Sequence, residues 1–208
     1  MKRMTRMLAA VTGGLVAVAA TTATAITTSA EQAADLAAHE QHANGAHDAD
    51  TAELHDELAQ VRRATARFHD LDAALAAGYE LGWVNGGGMW IINGCVANVP
   101  NPAAGAMGYH YFNKDLMADL TVDPQRPEVL VYAPGADGER RLAAVEWVVR
   151  GPKSAPPGLS ETDPAPELFG MSMHILNPMV GFYLMHAWIW QPNPAGMFMD
   201  WNPDVTCP

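Results

Sequence analysis

The sequence is poor in the residues on which most catalytic signatures depend. Its 208 residues include two cysteines, Cys95 and Cys207, too far apart for a Cys-x-x-Cys metal or redox motif. Beyond residue 30 the only serines are Ser154, Ser160 and Ser172. None sits in a Gly-x-Ser-x-Gly elbow, which argues against a Ser-His-Asp hydrolase. No compact His-Glu-x-x-His pair and no internal repeat is present. The run Gly86-Gly87-Gly88 lacks the strand–glycine–helix setting of a phosphate loop. Positive charge is scarce as well, with 12 Lys and Arg against 23 Asp and Glu.

Three of those basic residues, Lys2, Arg3 and Arg6, stand at the extreme N-terminus, ahead of an apolar stretch from Leu8 to Ala20. Ala23-Thr24-Ala25 and Thr28-Ser29-Ala30 both offer small-residue cleavage patterns. Residues 1–30 therefore read as a secretory signal peptide, and the rest as a secreted, extracellular protein. They contain no acidic residue, so the remainder carries nine basic residues against 23 acidic ones, a net charge of −14. Such a surface repels nucleic acid and anionic lipid, which need basic patches, and attracts cations. No nucleic-acid partner is expected, and no membrane association once the signal is removed.

In an oxidising compartment the two cysteines are expected to pair, closing a loop of over a hundred residues and tying the C-terminus to the Gly-rich segment near residue 90. In the chain-entropy model such a bridge contributes about 4–5 kcal/mol.

Residues 31–50 are Ala-rich and acidic and carry His39, His42 and His47; they read as a flexible tail ahead of a single domain over 51–208. Asp50 and Glu53 resemble a capping box. Leu54, Leu58, Val61, Thr65, Phe68, Leu71 and Leu75 then recur every three or four residues, and Gly78 stands as a C-cap. This pattern predicts one long N-terminal helix. After it the period falls to two. Met107–Phe112, Val129–Tyr132, Leu142–Val149, Met171–Leu176 and Gly181–Gln191 read as strands, with Pro134-Gly135-Ala136-Asp137-Gly138 as a hairpin turn. Residues 151–166 hold five prolines and read as a surface loop. The expected class is α+β, the helix packed on one face of an antiparallel sheet or half-open β-barrel.

Four polar residues interrupt the apolar strands. Glu146 lies within Leu-Ala-Ala-Val-Glu-Trp-Val-Val, His110 within Met-Gly-Tyr-His-Tyr-Phe, His174 within Met-Ser-Met-His-Ile-Leu and His186 within Tyr-Leu-Met-His-Ala-Trp. A carboxylate buried mid-strand is costly unless a cation, a donor or a proton meets it. Inward-facing His and Glu on neighbouring strands are the donor set for Zn, Cu, Mn or non-haem Fe. His110, Glu146 and His186 are thus the candidate metal ligands, with His174 as a fourth. The competing reading is a buried polar network without metal. Met171, Met173, Met197 and Met199 add soft donors that would favour copper, or else fill the core. Trp188, Trp190 and Trp201, with Tyr109, are the candidate ligand-binding aromatics. They suit a small-molecule or sugar-binding module in which the histidines merely pack.

Taken together, Gly105-Ala106-Met107-Gly108-Tyr109-His110-Tyr111, Pro127–Tyr132, Ala144-Val145-Glu146, the run His186-Ala187-Trp188-Ile189-Trp190, Asn193–Phe198 and Trp201-Asn202-Pro203 resemble a family of exported bacterial proteins of unknown function. The resemblance covers roughly residues 55–208 and implies secretion and a common α+β domain, with no activity attached. The His and Glu set is also reminiscent of cupins, but no His-x-His pair precedes the glutamate. If residues 1–30 direct export, the mature chain begins at Ile26 or Glu31, and intact mass of secreted protein should show the loss of 25 or 30 residues. A full-length secreted mass would overturn this.

Overall fold

A computed structural model describes residues 51–84, 90–154, 158–176 and 181–208. The segments read above as signal and tail, the triple glycine at 86–88, part of the proline-rich loop and residues 177–180 lie outside them. Helix α1 covers 51–65. Leu58, Val61 and Thr65 are buried along one side, as their three- and four-residue spacing requires. The predicted single helix does not continue to Gly78. A 3-10 turn, Ala66–His69, follows α1, Asp70 is extended, and a second helix, α2, spans Leu71–Ala76.

Local hydrogen bonding explains the break. The Asp70 carboxylate accepts from the Asp72 amide at 3.0 Å and starts a new helix, a competition in which Asp outdoes helix continuation. The Phe68 carbonyl, which a continuous helix would use internally, instead accepts from the Tyr132 hydroxyl at 2.6 Å.

The strands are β1 (Tyr79–Leu81), β2 (Trp83–Val84), β3 (Trp90–Ile92), β4 (Cys95–Ala97), β5 (Ala106–Asn113), β6 (Val129–Pro134), β7 (Arg140–Arg150), β8 (Glu167–Leu168), β9 (Met171–Ser172), β10 (His174–Leu176) and β11 (Phe182–Ala187). Seven of them form one antiparallel sheet in the order β1-β5-β6-β7-β11-β10, with β4 also paired to β5. The sheet is open, not a closed barrel. β1 and β4 share one edge of β5, β1 beside residues 111–113 and β4 beside 106–109. The segment 171–176, read as one strand, is divided: β9 pairs with β8 in a small ribbon, and only β10 joins the main sheet. The predicted turn at 134–138 does connect β6 to β7, closed by Gly135 N–H on the Glu139 carbonyl at 2.7 Å.

The sheet separates two apolar layers. Leu58, Val61 and Phe68 pack with Leu130, Tyr132, Val145 and Trp147 on the helix-covered face. On the other face Val129, Val131, Ala144, Val148, Leu184 and Trp188 pack beneath Trp83 and Ile92 of the β2–β3 ribbon and beneath Val205 and Cys207 of the C-terminal segment. An extra residue in β7 sets this arrangement. Val131 opposes Ala144 and Tyr132 opposes Leu142, so Ala143 is bulged out of the pairing. Its carbonyl then accepts from the Trp190 and Gln191 amides, both at 3.1 Å, which turns the chain after β11 back across the sheet.

The C-terminal segment is fastened further along. Ala106 and Asn202 exchange backbone hydrogen bonds at 3.2 and 3.1 Å. The approach is so close that a Cβ on Gly105 would overlap the Asn202 carbonyl, and Gly105 has φ of +82°. Cys207 is disulfide-bonded to Cys95, 112 residues earlier, with the Cα atoms 5.6 Å apart. No helix among the described residues is long and apolar enough to cross a membrane. Replacing both cysteines by serine should lower the unfolding free energy by about 4–5 kcal/mol, read from the urea midpoint under oxidising conditions. An unchanged midpoint would show that the tail is held without the bridge.

Candidate metal centre

Pairing register alone brings two of the predicted residues together. Phe112, Val129, Glu146 and His186 lie in one row across β5, β6, β7 and β11, so Glu146 and His186 are direct cross-strand neighbours. His110 lies one step along β5, opposite Val131, which in turn faces Ala144. His110 and Glu146 therefore meet diagonally above small side chains. All three belong to the face away from α1, because Phe112, Val148, Leu184 and Trp188, two residues from each in turn, populate that layer. The relative exposures are 1% for His110, 3% for Glu146 and 0% for His186.

The three side chains each present a donor atom, and these atoms all lie within 4.8 Å of one another. His186 Nδ1 is 2.9 Å from Glu146 Oε1, and His110 Nε2 is 3.5 Å from the same oxygen. His110 Nδ1 is 3.2 Å from the Gly108 carbonyl. A carbonyl only accepts, so His110 Nδ1 is the donor and carries a proton; by the same reasoning His186 Nδ1 donates to the carboxylate. That leaves the Nε2 atoms of both histidines, which are buried without any hydrogen-bond partner among the described residues. Such orphaned atoms each cost about 1–3 kcal/mol. Gly108 makes its carbonyl available through a backbone only glycine adopts easily, with φ of +104°, and a Cβ there would stand 2.6 Å from the Tyr132 oxygen.

Burial by itself would raise the Glu146 carboxyl; the charge that His110, 3.5 Å away, carries when its Nε2 is also protonated, and then the His186 hydrogen bond, outweigh it and draw the group below the usual carboxylate range. Glu146 thus lies in an apolar layer where, among the described residues, the polar side chains that meet its carboxyl are these two imidazoles. Neither Arg150, Tyr109 nor Trp188 serves as its partner. Arg150 Nε instead donates to the Met117 carbonyl at 3.1 Å, and Trp188 Nε1 to the Met199 carbonyl at 2.6 Å.

His174 is placed elsewhere. Paired with Leu184 in the edge strand β10, its side chain is 51% exposed and faces Asp200, Nε2 to Oδ2 at 3.6 Å. The predicted ligand-binding aromatics are likewise dispersed. Trp188 is buried against His186, ring centroids 4.8 Å apart. Trp190 packs edge-on to His69 at 4.4 Å and donates to Thr65 Oγ1 at 3.3 Å, beside the helices. Tyr109 lies under the Arg140 guanidinium, 4.1 Å from the ring centroid, in the helix-side layer. The alternation that turns His110 inward turns Tyr109 the other way. Met173 is buried in the helix-side core, whereas Met197 and Met199 are exposed.

Sequence reasoning passed over Glu128, a second buried carboxylate. Its Oε2 accepts from the Val148 amide at 2.9 Å. Its place at the head of the apolar run Val129–Tyr132 was the available signal. Burial pushes this carboxyl up to about 8, against the opposing pull of the Val148 N–H.

The chain matches no family model, no curated protein and no solved structure.

Below about pH 4.5 the Glu128 carboxyl is neutral in the folded and unfolded chains alike. As pH rises the unfolded chain ionises first, so folding loses stability until the folded group also ionises near pH 8. Glu128→Gln keeps an acceptor for Val148 and removes this loss. Denaturant titrations should show the variant gaining on the wild type by roughly 2–4 kcal/mol between pH 5 and pH 8. A pH-independent difference would place the ionisation of Glu128 outside this window.

Proposed function

We propose that this chain is a secreted protein holding one divalent transition-metal ion through His110, Glu146 and His186. One observation carries the reading. One ring nitrogen from each of His110 and His186 and an oxygen of Glu146 lie within 4.8 Å of one another, and the Nε2 of both rings is buried without a partner among the described residues, in an apolar interior where such groups are costly to leave unmatched. A cation bound there satisfies all three.

The donor set selects the metal. Two imidazoles and one carboxylate suit Zn, Cu, Mn or Fe rather than Mg or Ca, which take oxygen ligands. The 2.9 Å contact of Glu146 with His186 Nδ1 also matches a carboxylate–histidine–metal relay, in which the carboxylate fixes the ring so that Nε2 faces the ion. With three protein donors at most, coordination positions stay open, and an ion with an open position supports metal-assisted chemistry on a small molecule. Gly108 and Glu146 would set the ring orientations, and the apolar wall would keep bulk water out. The Cys95–Cys207 bridge, the basic-then-apolar N-terminus and the acidic balance support export to an oxidising compartment, where a cation-attracting surface meets free metal ions.

Protein purified without a polyhistidine tag and reconstituted with Zn, Mn, Fe or Cu should hold about one equivalent of metal by elemental analysis. His110→Ala and His186→Ala should lose it, and His174→Ala should keep it. Glu146→Gln should bind at least 10–100-fold more weakly, the range found when an outer-shell partner is removed. Metal-free wild type whose unfolding is unaffected by chelator would overturn the reading.

A further inference from the structure

Resting on that reading, charge balance at the site defines the ligand that completes it. The protons of His110 and His186 are on Nδ1, fixed by the Gly108 carbonyl and by Glu146, so both rings are neutral when Nε2 meets a metal. Glu146 contributes one negative charge whether it binds the ion or orients His186. A divalent cation therefore leaves the buried centre with one net positive charge. Among the described residues, the ion pairs made by the three are only with one another. The other buried carboxylate, Glu128, is held on the Val148 amide. Arg150, four residues along the same strand, is held by the Met117 and Ala118 carbonyls and, being a cation, supplies no counter-charge. A net charge in an apolar layer is costly unless matched.

Space sets the size. The donors are at most 3% exposed. Phe112 stacks on His110 with centroids 6.3 Å apart, and Trp188 lies 4.8 Å from His186. We infer that the open coordination position takes a small monoanion of two or three heavy atoms, and that this anion and the metal bind cooperatively because each neutralises the other's buried charge. Larger or doubly charged anions are refused by the aromatic wall and by overcompensation. Neutral ligands leave the charge unmatched.

The full chain loaded with Co(II) provides the test, since its visible bands report each ligand exchange. Azide should change the bands with one-site saturation, and sulfate or imidazole at equal concentration should leave them unaltered. Azide at ten times its own dissociation constant should tighten cobalt retention about tenfold, as linkage requires. Unchanged bands with azide, or equal responses to imidazole and sulfate, would overturn the monoanion inference while leaving the metal site standing. A chain that binds no cobalt at all would overturn both.

Discussion

A carboxylate in the middle of a central strand is the constraint to which the rest of the molecule answers. Glu146 lies on β7, hydrogen-bonded on one side to β6 and on the other to β11, so no rotamer carries its charge out past a sheet edge. In an apolar layer an isolated carboxylate would take up a proton or destabilise the fold. Here His110, reaching it over Val131 and Ala144, and His186, its direct cross-strand neighbour, draw its carboxyl below the usual range. Val131 and Ala144 are small enough to leave the imidazoles room above the sheet. The pair of orphaned Nε2 atoms is the remainder of that balance. Both rings keep an Nε2 without a partner among the described residues, and the three side chains offer donor atoms close enough together to hold a cation.

The interior character of that volume depends on the segment after β11. Without the chain beyond Ala187, the face carrying the three residues would lose Trp188, Val205 and Cys207 from its cover. The imidazoles would then have water to bond with, and nothing in their chemistry would call for a metal. Three attachments hold the cover in place: the bulged Ala143 carbonyl, the Ala106–Asn202 backbone pair and the Cys95–Cys207 disulfide. Each draws on a residue with no polar function of its own. The metal-site reading thus rests on a bulge and a glycine as much as on histidines.

Correspondence between pattern and structure varied with the range of the interactions involved. The β6–β7 hairpin was legible because alternation and a glycine- and proline-bearing turn are local signals, and the inward direction of Glu146 followed from them. The N-terminal helix was legible in its first turns and misjudged in its length. Asp70 as a capping residue and Tyr132 as a partner for the Phe68 carbonyl compete with a helical period that a count of apolar positions cannot see. His174 resembled the other histidines in its apolar neighbours, but β10 is an edge strand, and there the same neighbours leave a side chain half in solvent. Glu128 escaped notice because it heads its apolar run instead of interrupting it, and the Val148 amide that receives its carboxyl belongs to the adjacent strand.

The sequence by itself determined the α+β class, the pairing of its only two cysteines, and the residue types able to hold a cation, because periodicity, redox chemistry and donor chemistry are properties of short segments and of side chains. Only the tertiary structure decided which of those side chains share one volume. Strand order and register across β5, β6, β7 and β11 join residues 110, 146 and 186 and leave 174 aside, and the returning C-terminus helps to bury them. Register and cover are long-range properties: they are set by which strands pair and what packs over them, and no window of the chain contains both partners.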